Sequence, residues 1–545
     1  MTLLVFSIII SIISCKQENK SEKIHKEEKR PNILLIMGDD MGYTDIGCFG
    51  SEVETPNIDG LAEQGLLFTN FHTSVSCSPT RSMLMSGTDN HIAGLGNMAE
   101  LLTDNQKGKP GYEGHLNNGV VSLAEIFQDE GYHTYMAGKW HLGDEPEHTP
   151  YARGFERSFS MLQGGASHWS DMTGIQAANQ PIARYVMDDK ELKELPKDFY
   201  SSRSYADFLI DAIRSQIDDD QPFLAYYAPT AAHDPIHVPE PWLSKYRGNY
   251  NEGYEVLKSK RIKKAKELGI VNADATQPGF LDPVKPWNEL SEDERTFKAR
   301  TMEAYAGQID NLDYHIGRLI NYLKDVGKFE NTIIIFCTDN GPNPLESEEY
   351  LSNKGSEWFD QFDNSLDNIG RPNSFVGIGI GWAQACAGPL DYFKMTTGEG
   401  GIRTPLIICG PKILKGNKTD AFTYIIDILP TLLEFTGIEH PNSYNNREVE
   451  PLMGHSLAPL TSGSKNTILT KNEIICGEML NGKWAIVGDY KATQVAKPFG
   501  DGKWYLYNIK LDPGEIKNLS EDEPLILKEL LNSWNNYSLQ VGIIE

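Results

Sequence analysis

The chain has 545 residues, more than one ordinary core holds, and at roughly 150 residues per domain it allows two to four domains. Hydrophobic residues make up 40%, aromatics 10% and charged residues 23%, which excludes general disorder because there is ample apolar surface to bury. The net charge of −26 argues against nucleic-acid binding, and it means that an anionic ligand needs a local cationic pocket inside an acidic protein.

In chain order, the first feature is the apolar run Leu3 to Ile13, too short to span a bilayer. Its end, Ile12-Ile13-Ser14-Cys15, resembles a bacterial lipobox, whose cysteine is acylated and becomes the new N-terminus. Residues 1–14 are therefore expected to be a lipoprotein signal peptide, with Cys15 as a lipid anchor in a membrane. Such an exported protein sits in the periplasm, or on the outer membrane or cell surface. The n-region departs from the usual pattern in carrying no Lys or Arg. Residues 15–30, dense in Lys, Glu, Asn and Ser, read as a flexible tether. Seven cysteines without C-x-x-C spacing exclude a zinc ribbon and a disulfide-dense scaffold.

From residue 31 a short β-rich run, a loop with Gly, Pro or Asp, and an amphipathic helix alternate, which predicts an α/β domain with a mostly parallel sheet over 31–424. The first strand is Asn32 to Met37, ending in Gly38-Asp39-Asp40. A helix opens at Ser122, where Ser122 and Glu125 make a capping box, and stops near Gly131 before a strand Tyr132 to Ala137. A helix Ser204 to Ile217 precedes a strand Phe223 to Tyr227. The longest helix opens at Ser291, with apolar residues Met302, Tyr305, Ile309, Leu312, Ile316, Leu319 and Leu323 on one face. It hands over to a strand Thr332 to Cys337, which ends in Thr338-Asp339-Asn340-Gly341. From about Ile425 short strands (Trp484 to Val487, Trp504 to Tyr507) and a final helix near Pro524 to Trp534 predict a smaller α+β domain over 425–545.

In open α/β sheets ligand groups gather at the carboxyl ends of strands, so Asp39, Asp40, Asp339 and Asn340 are expected to converge. Cys77-Ser78-Pro79-Thr80-Arg81, with Gly87 as the stop, describes a short helix whose N-terminus holds Cys77 and whose first helical position is proline. Free N–H groups there favour an anion, and Arg81 lies one turn further in.

These residues resemble the sulfatase signature C-x-P-x-R. Further matches follow in the family's order: Gly38-Asp39-Asp40-Met41-Gly42, Gly138-Lys139-Trp140-His141-Leu142-Gly143, Ala232-His233-Asp234-Pro235, Asp339-Asn340-Gly341, and Lys394 ahead of Glu399-Gly400-Gly401-Ile402-Arg403. One position departs. Most members carry arginine shortly after the signature glycine, where this chain has Thr88-Asp89-Asn90-His91, a variant similar to the bacterial alkyl- and arylsulfatase branch. So is Asp363-Asn364-Ser365-Leu366-Asp367-Asn368-Ile369-Gly370-Arg371.

The resemblance implies an alkaline phosphatase-like fold: a large, mixed, mostly parallel sheet flanked by helices, with a smaller C-terminal α+β domain carrying a short antiparallel sheet. It implies a sulfuric ester hydrolase in which a formylglycine-generating enzyme oxidises Cys77 before export. A hydrated aldehyde attacks sulfur through one hydroxyl and expels sulfate on deprotonation of the other. Asp39, Asp40, Asp339 and Asn340 are an all-oxygen set that suits Ca²⁺, with Mg²⁺ second, and not Zn²⁺. Arg81, Lys139 and Lys394 would hold the sulfate oxygens, His141 would act as the base for collapse, and His233 with Lys394 would protonate the leaving oxygen. Substrates would be aryl, alkyl or carbohydrate sulfates, with pocket shape set by the loops Gly164 to Gln180 and Glu346 to Gly388. Two alternatives stand beside this reading. One is a phosphonate or phosphate ester hydrolase of the same superfamily; a two-zinc version would need a second Asp/His cluster. The other is a non-catalytic lipoprotein that binds sulfated glycans.

Overall fold

The computed structural model describes residues 29–175, 181–346 and 356–545. Chain contacts divide it into Met1–Arg30, of which only Lys29 and Arg30 are described, and Pro31–Glu545. The expected signal peptide, Cys15 and nearly all of the tether lie outside the described residues, as do 176–180 and 347–355 of the two specificity loops. Among the described residues no helix is long and apolar enough to cross a membrane.

β1 (Asn32–Gly38) is buried at every position, as an unbroken Ile-Leu-Leu-Ile run requires of a strand covered on both faces. Its side chains alternate: Leu34 and Ile36 enter one apolar core, Ile33, Leu35 and Met37 the other. The chain then adds β2 (Gly65–His72), β3 (His133–Lys139), β4 (Arg157–Met161), β5 (Tyr185–Met187), β6 (Lys190–Leu192), β7 (Phe223–Ala228), β8 (Thr332–Thr338), β9 (Arg403–Cys409), β10 (Asn417–Thr419) and β11 (Thr423–Tyr424). They form one 11-stranded sheet in the order β10-β2-β9-β8-β1-β7-β3-β4-β5-β6, with β11 also paired to β2. The centre, β8-β1-β7-β3-β4, is parallel throughout, and antiparallel strands flank it on both sides. Parallel neighbours present their carboxyl ends along one edge, where loops collect.

The expected capping boxes at Ser122 and Ser291 are both present, and the second starts the 34-residue helix Glu292–Asp325. All seven of its predicted apolar residues are buried against the sheet's first core. Element ends shift by a few residues from the sequence expectation. The helix expected at Ser204 begins at Ser201, and the strand expected to end at Ala137 runs on to Lys139. The second shift follows from pairing: Gly138 and Lys139 are held by β4, a partner that local propensity does not encode.

Beyond β12 (Ser443–Tyr444) and β13 (Arg447–Glu448), the C-terminal part forms a four-stranded antiparallel sheet of β14 (Ile474–Met479), β15 (Gly482–Val487), β16 (Tyr490–Gln494) and β17 (Tyr505–Asn508). The final helix, Pro524–Val541, lays Leu530 and Trp534 on Ala485, Ala492 and Leu506 of this sheet. A buried polar knot joins the small sheet to the main body. Lys491 of β16 lies 2.9 Å from Glu399 and 2.9 Å from Glu515, while Glu399 also meets His72 of β2 at 3.1 Å.

Candidate active site

β1 and β8 are parallel with Gly38 opposite Thr338, so Asp39-Asp40 and Asp339-Asn340 leave the sheet side by side. Asp40 takes a left-handed backbone, φ 60°, which costs a non-glycine residue energy and turns its N–H onto Asp339 Oδ1 at 3.2 Å. Asp39 exchanges backbone hydrogen bonds with the segment after β7, donating to Ala231 O at 3.0 Å and accepting from Ala232 N–H at 2.8 Å, which brings His233 alongside. β3 delivers Lys139 as its last residue, and His141 follows, also left-handed at φ 56°.

The signature residues form the helix Cys77–Ser86, closed by Gly87 at φ 65°. Pro79 occupies the third helical position, not the first as expected. First-turn N–H groups have no partner within a helix, so the missing N–H costs nothing there and the helix can start at Cys77. Ser76 offers no side-chain cap, which leaves the N-terminal end free to meet a ligand at residue 77.

Side-chain contacts draw these groups into one cluster. The Cys77 thiol lies 3.6 Å from Asp39 Oδ1 and 3.7 Å from Asp40 Oδ1. Lys139 Nζ donates to both oxygens of Asp39, at 2.9 and 2.8 Å. Arg81 grips Asp339 Oδ2 with Nε at 3.1 Å and Nη2 at 2.7 Å. Lys394 Nζ donates to Asp40 Oδ2 at 2.7 Å and stands 3.3 Å from His233 Nε2. His233 Nδ1 donates to the Asp234 carbonyl at 2.6 Å, so its proton sits there and Nε2 faces the cluster, 3.3 Å from Asp40. Asn340 Nδ2 donates to Asp40 Oδ1 at 2.7 Å. Asp39, Asp40, Cys77 and His233 form a buried set whose ligand atoms lie within 4.8 Å of one another.

His141 is the expected site residue whose side-chain contacts lead away from this cluster. Its Nε2 meets Glu100 at 3.1 Å, and its Nδ1 is buried without a hydrogen-bond partner. Sequence reading missed Glu100, which lies in a loop between elements with no periodicity around it. His91 and His237 are buried and hydrogen-bonded, away from the cluster contacts.

Burial sets the electrostatics. Desolvation, reinforced by Asp339 and opposed by Lys139, raises Asp39 to about 6. Asp40 moves the other way: against the same desolvation, His233, Lys394 and Lys139 hold its carboxyl below the usual range. Burial pushes the Cys77 thiol well above its ordinary value despite Lys139 and Lys394, so the unmodified side chain is a protonated, poor nucleophile. His141 is lowered by burial, with Lys139 and Arg81 opposing Glu100, and is a neutral base near pH 7.

The oxygen donors fit a hard cation. Three carboxylates and one amide converge, and Asn340 Oδ1 is buried with no hydrogen-bond partner, an orphan acceptor that a cation would satisfy. Among the described residues the group of His, Cys, Asp and Glu with metal-binding spacing is Asp39, Asp40, Cys77 and His233, which shares Asp39 and Asp40 with this oxygen set.

A family model described as Sulfatase matches residues 31–438. An uncharacterized sulfatase of Schizosaccharomyces pombe is 42% identical over 538 residues, covering 95% of each chain. An arylsulfatase of Klebsiella aerogenes is 41% identical over 437 residues, 80% of this chain and 93% of the relative. The crystal structure of Ps i-CgsB in complex with k-i-k-neocarrahexaose superposes with TM-score 0.65 at 22% identity, covering 93% of both chains, which establishes the shared fold.

Proposed function

The chain belongs to the sulfatase family and is a sulfuric ester hydrolase, and we propose that it works through a formylglycine made from Cys77 beside one Ca²⁺. One observation carries this reading. A thiol too strongly protonated to attack is seated at an uncapped helix N-terminus, against two carboxylates and within a ring of Arg81, Lys139 and Lys394. That setting suits a nucleophile made by oxidation better than a cysteine used as such.

Asp39, Asp40, Asp339 and Asn340 would hold the calcium, which when bound supplies positive charge for the sulfate oxygens and for the attacking hydroxyl. Hydrated formylglycine would supply one hydroxyl that bonds to sulfur as the ester S–O bond breaks, its proton passing to Asp339, and a second whose deprotonation re-forms the carbonyl, the C–O electron pair leaving on sulfate. Arg81, Lys139 and Lys394 place fixed positive charge where sulfate charge accumulates, inside a buried pocket where such charge acts strongly. Lys394 and His233 Nε2, 3.3 Å apart, share the proton that neutralises the leaving oxygen. His141, neutral and buried, takes the proton from the second hydroxyl.

Aryl sulfates are the proposed substrates, because the Klebsiella aerogenes relative at 41% identity is an arylsulfatase. Carbohydrate sulfates are the second reading, since the Ps i-CgsB structure holds an oligosaccharide. Export and anchoring through Cys15 remain part of the proposal, and Cys15→Ala should release the protein from membranes. The deciding assay uses protein co-produced with a formylglycine-generating enzyme and offers aryl sulfate, sulfated sugars, and phosphate and phosphonate monoesters. Aryl sulfate should be turned over fastest, and Cys77→Ala should abolish turnover with the fold intact. Preference for phosphorus esters, or activity in Cys77→Ala, would overturn the proposal.

A further inference from the structure

Glu100 lies on the short turn Ala99–Leu101, 41 positions before His141, and nothing in the signature motifs points to it. Its carboxylate oxygens stand 3.1 and 3.4 Å from His141 Nε2. A carboxylate only accepts hydrogen bonds, so the hydrogen belongs to Nε2, and a neutral imidazole with Nε2–H has a bare Nδ1. That bare nitrogen is the one the structure buries without any partner, in a histidine whose side chain is 8% exposed.

The turn that carries Glu100 is braced against the signature helix and against itself. Ser76, the residue before Cys77, donates to Met98 Sδ at 2.8 Å. Asn97 Nδ2 donates to Leu101 O and to Gln106 Oε1, each at 2.9 Å, and Leu101 N–H closes on Met98 O at 2.9 Å. The carboxylate is therefore presented by an ordered support, and His141 is itself held in a left-handed backbone conformation, φ 56°, that limits where its ring can go.

We infer that Glu100 is a positioning residue that locks His141 as the Nε2–H tautomer and so leaves Nδ1 as the nitrogen that receives the proton in the reaction. The arrangement does for this histidine what the orienting carboxylate does in hydrolytic triads: it fixes tautomer and ring direction and steadies the imidazolium once formed. The charged groups that act most strongly on His141 are Glu100 from the loop, Lys139 from the end of β3 and Arg81 from the signature helix. Glu100 is the only anion among them, and so the only one that favours the protonated ring. The inference rests on the proton-accepting role given to His141 above.

The test reads the tautomer directly, on protein whose residue 77 is still cysteine. Histidine labelled with ¹⁵N is incorporated, and the His141 signals are assigned by their loss in His141→Ala. Wild type should show Nε2 protonated and Nδ1 bare, and Glu100→Ala should lose that fixed pattern. Nδ1–H in the wild type, or an unchanged pattern in Glu100→Ala, would overturn the inference. The wild-type result decides it alone if the variant does not fold. On the matured enzyme, Glu100→Ala should lower kcat about 10- to 100-fold with KM little changed, and Glu100→Gln, whose amide oxygen still accepts from Nε2–H, should recover part of the loss. A matured wild type that hydrolyses no sulfate ester would count against the formylglycine reading, while the tautomer spectrum would still be decided on its own.

Discussion

At the scale of single residues, the site is a problem in charge balance. Three buried carboxylates, Asp39, Asp40 and Asp339, are met by three buried cations, Lys139, Lys394 and Arg81, in ion pairs of 2.7 to 2.8 Å. Taking either side away leaves charge stranded out of water. Asp339→Ala removes the only carboxylate that Arg81 holds in a two-pronged grip, and one of the four oxygen donors. With the proposed calcium site, it should lose bound calcium by elemental analysis, lose turnover, and destabilise the fold by about 3 to 5 kcal/mol in chemical unfolding. Retained calcium and turnover would show that the donor set is wrongly assigned. The convergence of Asp39, Asp40, Asp339 and Asn340 is legible in sequence because two strands of recognisable composition end in them, and parallel pairing brings strand ends together. Glu100 was not legible: its partnership with His141 depends on how a loop is folded back, and a loop of Met, Ala, Glu and Leu carries no periodic signal.

At the scale of elements, local hydrogen bonding decides where helices begin, and the capping boxes could be read directly from the chain. Ser122 accepts from Glu125 N–H at 3.1 Å and also donates to Arg153 O at 2.7 Å, both buried. Ser122→Ala should therefore cost about 1 to 2 kcal/mol in chemical unfolding, with the activity of the remaining folded protein unchanged. A change below the error of the method would mean that water replaces the cap. The signature helix shows the limit of such reading. Proline favours a first helical position, yet the helix starts two residues earlier, because first-turn N–H groups make no intrahelical bond and a missing one costs nothing. Strand β3 was underestimated for the complementary reason: its last residues, including Lys139, are extended by pairing with β4 and β7, not by their own propensity.

At the scale of the whole molecule, the departure from the common signature at Thr88-Asp89-Asn90-His91 acquires a structural meaning. His91 holds Asp89 through Nδ1 at 2.9 Å and Glu478 of β14 through Nε2 at 3.0 Å, and Tyr537 of the final helix donates to Asp89 at 2.7 Å. The loop after the signature helix is thereby bolted to the C-terminal sheet and helix. Although burial alone would lower it, the two carboxylates raise His91 to about 9. Between its ordinary value near 6.5 and about 9 the native state keeps a proton that the unfolded chain releases, so this contribution is complete below that window and is lost as pH rises through it. The melting temperature of wild type should therefore fall from pH 6.5 to 9 more steeply than that of His91→Gln, and equal slopes would show that His91 does not carry the proton. The most direct measurement of the central claim is the mass of the peptide containing residue 77, taken from a preparation that hydrolyses sulfate esters. It should show the aldehyde or its hydrate in place of the thiol, in proportion to specific activity; a fully active preparation whose Cys77 is an unmodified thiol would contradict the account.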